Sequence, residues 1–198
     1  MSDYIKVRHR LAPLLPGPLG LSIEPERIPQ AAVTILIREL DDDDQLLLIR
    51  RAERVGDPWS GHLALPGGRA ENQDPDLVAT AARETFEETG IDLRHASAGT
   101  ASFIGHLPPL TPRSPELPPL EITPLVAIAP PESTLQLNAE VSQAWWLSIN
   151  QLVGRGLSTE YRLNVGPYIR KWPAYESPGG PIWGITERIL TQFLTLLK

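Results

Sequence analysis

Apolar positions recur along this chain with two periods, and the switches between them outline the elements. Residues 31–37 (AAVTILI) form a short β-branched run that predicts a buried strand. Gln45–Arg51 (QLLLIRR) predicts its return strand, with Asp41 to Asp44 as a solvated hairpin turn between them. Residues 62–65 predict a third strand. The period then changes. Val78, Ala81, Ala82, Thr85, Phe86 and Thr89 follow i, i+3, i+4, i+7 and predict one apolar helix face. Asp74 is expected to cap that helix, Pro75 to take its first position and Gly90 to end it. Strands are expected again at 102–107, 121–129 and 141–147. A turn or helix is expected at 149–152, and a helix at 185–197 that turns Ile185, Ile189, Phe193 and Leu196 to the core. Ahead of the first strand, residues 4–15 predict a short helix ended by Pro16-Gly17-Pro18. Residues 157–178 read as irregular. The order predicts an α+β domain, a mixed sheet covered by helices. Residues 1–30 read as an N-terminal extension and 31–198 as the domain.

Composition narrows the function. A length of 198 residues suits one domain with a sizeable core, and 41% hydrophobic content is ordinary. A net charge of −6 argues against a nucleic-acid binder, whose surface would be basic. A small phosphate-bearing substrate stays open, because a bound cation inverts the local field. Without cysteine there is no disulfide frame, thiol nucleophile or thiolate zinc site. The start, MSDYIKVRHRL, lacks a signal-peptide core and nothing approaches a membrane span, so a cytoplasmic protein is expected. The 21 prolines gather between the patterned stretches. One such loop, 108–119, is long enough to expect a purpose; it is read as bordering the substrate pocket, with Arg113 and Glu116 available to it.

The candidate chemistry lies in residues 65–93, LPGGRAENQDPDLVATAARETFEETGIDL. Glu84, Glu87 and Glu88, expected roughly opposite the apolar face, repel one another at i, i+3 and i+4. Hard divalent cations take oxygen ligands and would offset that repulsion. Three glutamates alone read more plainly as a solvated face. Two features favour a site: the Gly67-Gly68 turn ahead of the helix, and Arg83 inside the cluster. Acidic groups near a helix C-terminus also oppose the macrodipole, which a merely structural surface has little reason to do.

These residues resemble the Nudix box, G-x5-E-x7-R-E-U-x-E-E-x-G-U with U aliphatic. Arg83, Glu84, Glu87, Glu88, Gly90 and Ile91 fall on it, and Thr85 stands where an aliphatic residue is usual. Counted from Gly68, the first half fits with one inserted residue, leaving Glu71 or Asp74 for its acidic position. The chain is also similar to the coenzyme A pyrophosphatase-like branch of that family. Gly61, Leu63, Leu65, Pro66, Gly67, Gly68, Glu71 and Asp74 match its upstream pattern, as do Gly105-His106-Leu107 and the segment from Ile182 to Thr186. Trp59 departs from it, standing where a histidine is expected.

The resemblance implies a Nudix fold, an α/β/α sandwich, and a hydrolase that cleaves a nucleoside diphosphate linked to another moiety, coenzyme A or a derivative being one candidate. It implies Mg²⁺, or Mn²⁺ in its place, held by Glu84, Glu87 and Glu88 with the Gly68 carbonyl. Glu84 or Glu87 would serve as base, with Glu140 as a further carboxylate, and Arg83 would position the glutamates. Arg50, Arg51, Arg54, Arg69 and Arg113 are candidates for phosphate contacts through their fork geometry, and Trp59 for stacking on a base. His62 is expected to be structural. Other substrates compatible with the motif are ADP-ribose, dinucleotides and nucleoside triphosphates. A reading of another class is a silent nucleotide-binding regulator, against which the intact glutamate trio argues. A homodimer is an expectation by analogy alone.

Overall fold

The computed structural model describes residues 5–18, 20–24, 28–56, 59–93, 102–112, 119–130, 132–165 and 167–198. Its centre is β1 (Gln30–Arg38), which runs parallel to β6 (Glu121–Ile128) in register from Gln30 opposite Glu121 to Ile37 opposite Ile128. The other edge of β1 is divided. Ile37 and Arg38 pair with β2 (Gln45–Arg51), while Ala31 to Val33 pair with β4 (Gly67–Arg69). β2 is divided likewise: it meets β1 at one end and β3 (Leu63–Ala64) at the other, and β7 (Val141–Ser148) follows its far edge. Thus β1 and β2 part, and residues 63–69 fill the wedge between them. The Thr34 N–H donates to the Pro66 carbonyl at 2.7 Å inside this wedge. β5 (Ser102–His106) pairs antiparallel with β6 at the end of the sheet.

The residues of β1 alternate between two faces. Ala31, Ile35 and Ile37 join Leu46, Leu48, Val126 and Ile128 in a core covered by α1 (Val7–Leu11), α3 (Ile149–Arg155) and α4 (Gly184–Thr195). Ala32, Leu36, Leu47, Leu125 and Ala127 face the opposite way, toward α2 (Leu77–Thr89) and the segment after it. This is the expected mixed sheet between helices. The segment before β1 belongs to the same body. Val7 and Leu11 are fully buried, the Pro16 carbonyl accepts the His106 N–H at 3.1 Å, and the Leu21 carbonyl accepts the Leu77 N–H at 3.0 Å. It therefore runs from the α4 side, past the β5 edge, to the start of α2.

Several expectations are corrected. Asp76, not Asp74, caps α2: its side chain accepts the Ala79 N–H at 2.8 Å. The expected face of α2 is buried at Ala81, Ala82, Thr85 and Thr89, but its edge is shifted, with Glu88 only 3% exposed and Phe86 38%. Small residues let the helix sit close to the sheet, where the Thr85 hydroxyl bonds Thr34 at 2.8 Å and the Gly67 N–H gives Glu88 a partner. Asp44 is not part of a solvated turn. It is 0% exposed and accepts the Val7 N–H at 2.7 Å, fixing α1 to the sheet, with Lys6 3.7 Å away. The expected third strand, 62–65, is shortened to β3 (Leu63–Ala64), and the glycine turn after it forms a further short strand, β4 (Gly67–Arg69). Residues expected to be irregular form a hairpin, β8 (Thr159–Val165) with β9 (Tyr168–Ala174). The alternation of Tyr161, Leu163 and Val165 with Glu160, Arg162 and Asn164 was the signal for it. No helix among the described residues is long and apolar enough to cross a membrane.

Candidate active site

The wedge of the sheet sets the glycine turn against the C-terminal half of α2. Gly90 ends that helix in the left-handed conformation, φ 75°, which its lack of a Cβ permits. The Gly67 N–H donates to a Glu88 oxygen at 2.8 Å. A Cβ at Gly68 would overlap the Glu84 carboxylate, so only glycine lets that carboxylate lie against the turn.

Arg83 ties the cluster together. Its Nε and one terminal nitrogen grip Asp74 in a two-pronged pair at 3.0 and 2.9 Å, and the same terminal nitrogen reaches the Arg69 carbonyl at 3.1 Å. The other terminal nitrogen donates to Glu84 at 2.9 Å and lies 3.5 Å from Glu87. Asp74 in turn accepts from Thr80 and the Glu71 N–H, both at 2.9 Å. Burial opposes the Asp74 charge, but Arg83 and these donors outweigh it and hold the carboxyl below its usual range. Hydrogen bonding to Asp74, ahead of that to Glu84, keeps Arg83 more firmly protonated than usual. The inserted residue of the box thus has a use: it delivers an acidic anchor for Arg83.

The glutamates carry excess negative charge. Burial pushes the Glu84 carboxyl up against the pull of Arg83, and the charges of Glu87 and Glu140 add to the rise. Burial pushes Glu88 up to about 8; the Gly67 N–H and the Arg51 charge oppose this, while Glu84 and Glu140 reinforce it. Glu140, just before β7, therefore acts electrostatically on both. Its carboxylate pairs with Arg54 at 2.9 Å, both side chains being half exposed.

The other candidates divide. Arg51 acts on Glu88, and Arg69 is exposed at the end of β4. Arg50 points to the opposite face of β2 from Arg51, where its guanidinium donates to the Gly61 and Gly179 carbonyls and lies 5.5 Å from the Trp145 ring. Trp59 is partly buried, and its carbonyl accepts the His62 N–H at 3.1 Å. His62 joins a group of rings with Tyr161, Trp172 and Trp183. Arg113 and Glu116 lie outside the described residues. Asp74 as anchor and the ring group were missed by sequence reasoning; the spacing of the box held a signal for the first.

The donors fit a hard divalent cation. Carboxylate oxygens face a glycine backbone that no side chain crowds, and hard oxygen donors of this kind suit Mg²⁺ or Mn²⁺. Among the described residues no three acidic or histidine side chains already stand as a finished metal site. Arg83 and the Gly67 N–H hold Glu84 and Glu88 instead, so ligation calls for side-chain rotation about a fixed backbone.

The fold and this helix with its glycine turn define an α+β domain that sets a carboxylate-bearing helix against a glycine backbone. The NUDIX domain model matches residues 28–171, and the chain belongs to the Nudix hydrolase family. It is 31% identical over 160 residues to the uncharacterized Nudix hydrolase NudL of Yersinia enterocolitica, covering 73% of this chain and 70% of that one. Against NudL of Photorhabdus laumondii it is 32% identical over 151 residues, 74% of each chain. An uncharacterized fission-yeast protein, C14C4.10c of Schizosaccharomyces pombe, is 36% identical over 129 residues, 64% of this chain, and the match spans only 38% of that protein's length. In three dimensions a MutT/nudix family protein from Enterococcus faecalis aligns with a TM-score of 0.55 at 18% identity, over 88% of this chain and 64% of that one. That last likeness speaks for the fold alone.

Proposed function

We propose that this protein is a Mg²⁺-dependent pyrophosphohydrolase of a nucleoside diphosphate linked to a second moiety, with coenzyme A or a derivative as the leading substrate. One observation carries the reaction class: Glu84 and Glu88 lie against the Gly67-Gly68 turn and Glu87 is joined to Glu84 through Arg83, an oxygen-rich group that suits a divalent cation. Support for the coenzyme A branch comes from the box spacing, in which Asp74 anchors Arg83, and from the NudL relatives.

Bound by Glu84, Glu87, Glu88 and the Gly68 carbonyl, Mg²⁺ or Mn²⁺ would neutralise phosphate charge and acidify the attacking water. The chain supplies the rest. Arg83, fixed by Asp74, orients Glu84 and Glu87. Glu84 or Glu87 takes the proton from the water, with Glu140 as a further carboxylate beside them. Arg51, Arg54 and Arg69 neutralise the diphosphate oxygens. Water forms a bond to one phosphorus, the bridging P–O bond breaks, and the second phosphate leaves with the bridging oxygen. Arg54 must release Glu140 to reach substrate, an exchange that an exposed pair permits at little cost.

The deciding experiment is a hydrolysis screen with Mg²⁺ of coenzyme A, acyl-coenzyme A, ADP-ribose, NADH, diadenosine polyphosphates and nucleoside triphosphates, with products identified by mass. Preferred cleavage of coenzyme A to 3′,5′-ADP and 4′-phosphopantetheine is the expected result. Preference for another diphosphate would overturn the substrate, and no hydrolysis with Mg²⁺ or Mn²⁺ would overturn the enzyme reading.

A further inference from the structure

The hairpin β8–β9 brings Tyr161 and Trp172 to the chain that leads into the glycine turn. Tyr161 lies flat on Trp183, with ring centroids 3.8 Å apart and planes 6° from parallel. Trp172 tilts against both, at 6.2 Å from Tyr161 and 5.5 Å from Trp183. His62 meets Trp183 edge-on at 5.0 Å. All four rings are only partly buried. A cluster that served the core alone would be closed to solvent, as Phe193 is at 0% exposure.

The position of the rings is the second observation. The His62 carbonyl accepts the Arg51 N–H at 3.0 Å. Arg51 is thus bonded to the ring cluster through its backbone and acts on Glu88 through its charge. Gly67 lies five positions after His62, at most about 18 Å of extended chain. Arg51 thus links the rings to the carboxylates, in the order in which a ribose links a base to a diphosphate.

We infer that Tyr161, Trp172 and Trp183, buttressed by His62, form the stacking platform for the nucleobase of the substrate. Aromatic rings take a base by its face, whatever its hydrogen-bonding edge. The platform would then fix which half of the substrate lies toward the β8–β9 hairpin, leaving the second moiety to extend past Arg54 and Glu140. This assignment rests on the diphosphate hydrolase reading above.

The test is calorimetric titration of the full chain in EDTA with AMP and, separately, with ribose 5-phosphate, which keeps the sugar and charge but lacks the base. AMP is expected to bind at least tenfold more tightly. Tyr161→Leu and Trp172→Leu, each checked for an unchanged circular dichroism spectrum, are expected to weaken AMP at least fivefold. They should raise KM for the hydrolysed nucleotide by a similar factor, with kcat changed less than threefold. Equal binding of AMP and ribose 5-phosphate would overturn the inference. So would variants that bind AMP as the parent does, or a pantetheine fragment that binds through these rings in place of AMP. If AMP binds through the rings while no diphosphate is hydrolysed, the platform stands and the hydrolase reading falls. If both variants lose their fold, Tyr161→Phe, which keeps the ring, decides: retained tight AMP binding supports the platform, and binding no tighter than that of ribose 5-phosphate overturns it.

Discussion

Glu88 is the residue on which stability and chemistry pull in opposite directions. Its carboxyl has an ordinary value of 4.5 and is pushed up to about 8 in the fold, burial being the main cause. A raised value means that the proton favours the folded state. The contribution is fully present below 4.5 and is lost as pH rises through about 8. The metal-free protein is therefore expected to lose melting temperature across that window, and Glu88→Gln to lose less; thermal unfolding in EDTA at a series of pH values measures both. With Mg²⁺ present, the same substitution is expected to cut kcat by about 10²–10³-fold without unfolding the protein. Turnover unchanged by Glu88→Gln would remove this carboxylate from the metal site. Asp74 offers a complementary test. Asp74→Asn breaks the two-pronged grip on Arg83, and turnover is expected to fall about tenfold with less change in KM, the steady-state signature of misplaced catalytic groups.

At the scale of the element, α2 is a helix pinned at both ends. Asp76 caps its start and Gly90 its end, so Gly90→Ala is expected to destabilise the protein by about 1–2 kcal/mol, from the left-handed backbone. Contact with Gln136 adds to this. Chemical denaturation checks it. The sequence already displayed this helix, because its box residues have fixed spacing and its apolar residues fixed period. Its rotation was less legible. Phe86 looked like a core residue by hydrophobicity, yet Glu88 takes the inward place, where a backbone N–H from 21 residues earlier meets it. Period cannot report such a partner. The β8–β9 hairpin lies in a stretch that reads as irregular, although the alternation within β8 was plain. Asp44 looked like one of four equivalent turn aspartates; only the long-range bond to Val7 sets it apart.

On the scale of the whole molecule, the chain before β1 is structural rather than an appendage. Leu11 is fully buried with the α4 side of the core, and Leu11→Ala is expected to cost about 2–5 kcal/mol, measurable by urea titration. The same segment has a further effect where it passes β5. Among the described residues that strand ends the sheet, and a bare sheet end is a template on which another chain can add a strand. Leu15 and Pro16 lie so close to Gly105 that a Cβ there would overlap them, and the Pro16 carbonyl occupies the His106 N–H. Proline has no N–H of its own to pass the ladder on. The segment thus acts as a stopper on that strand, and its loosening would open the edge to another chain.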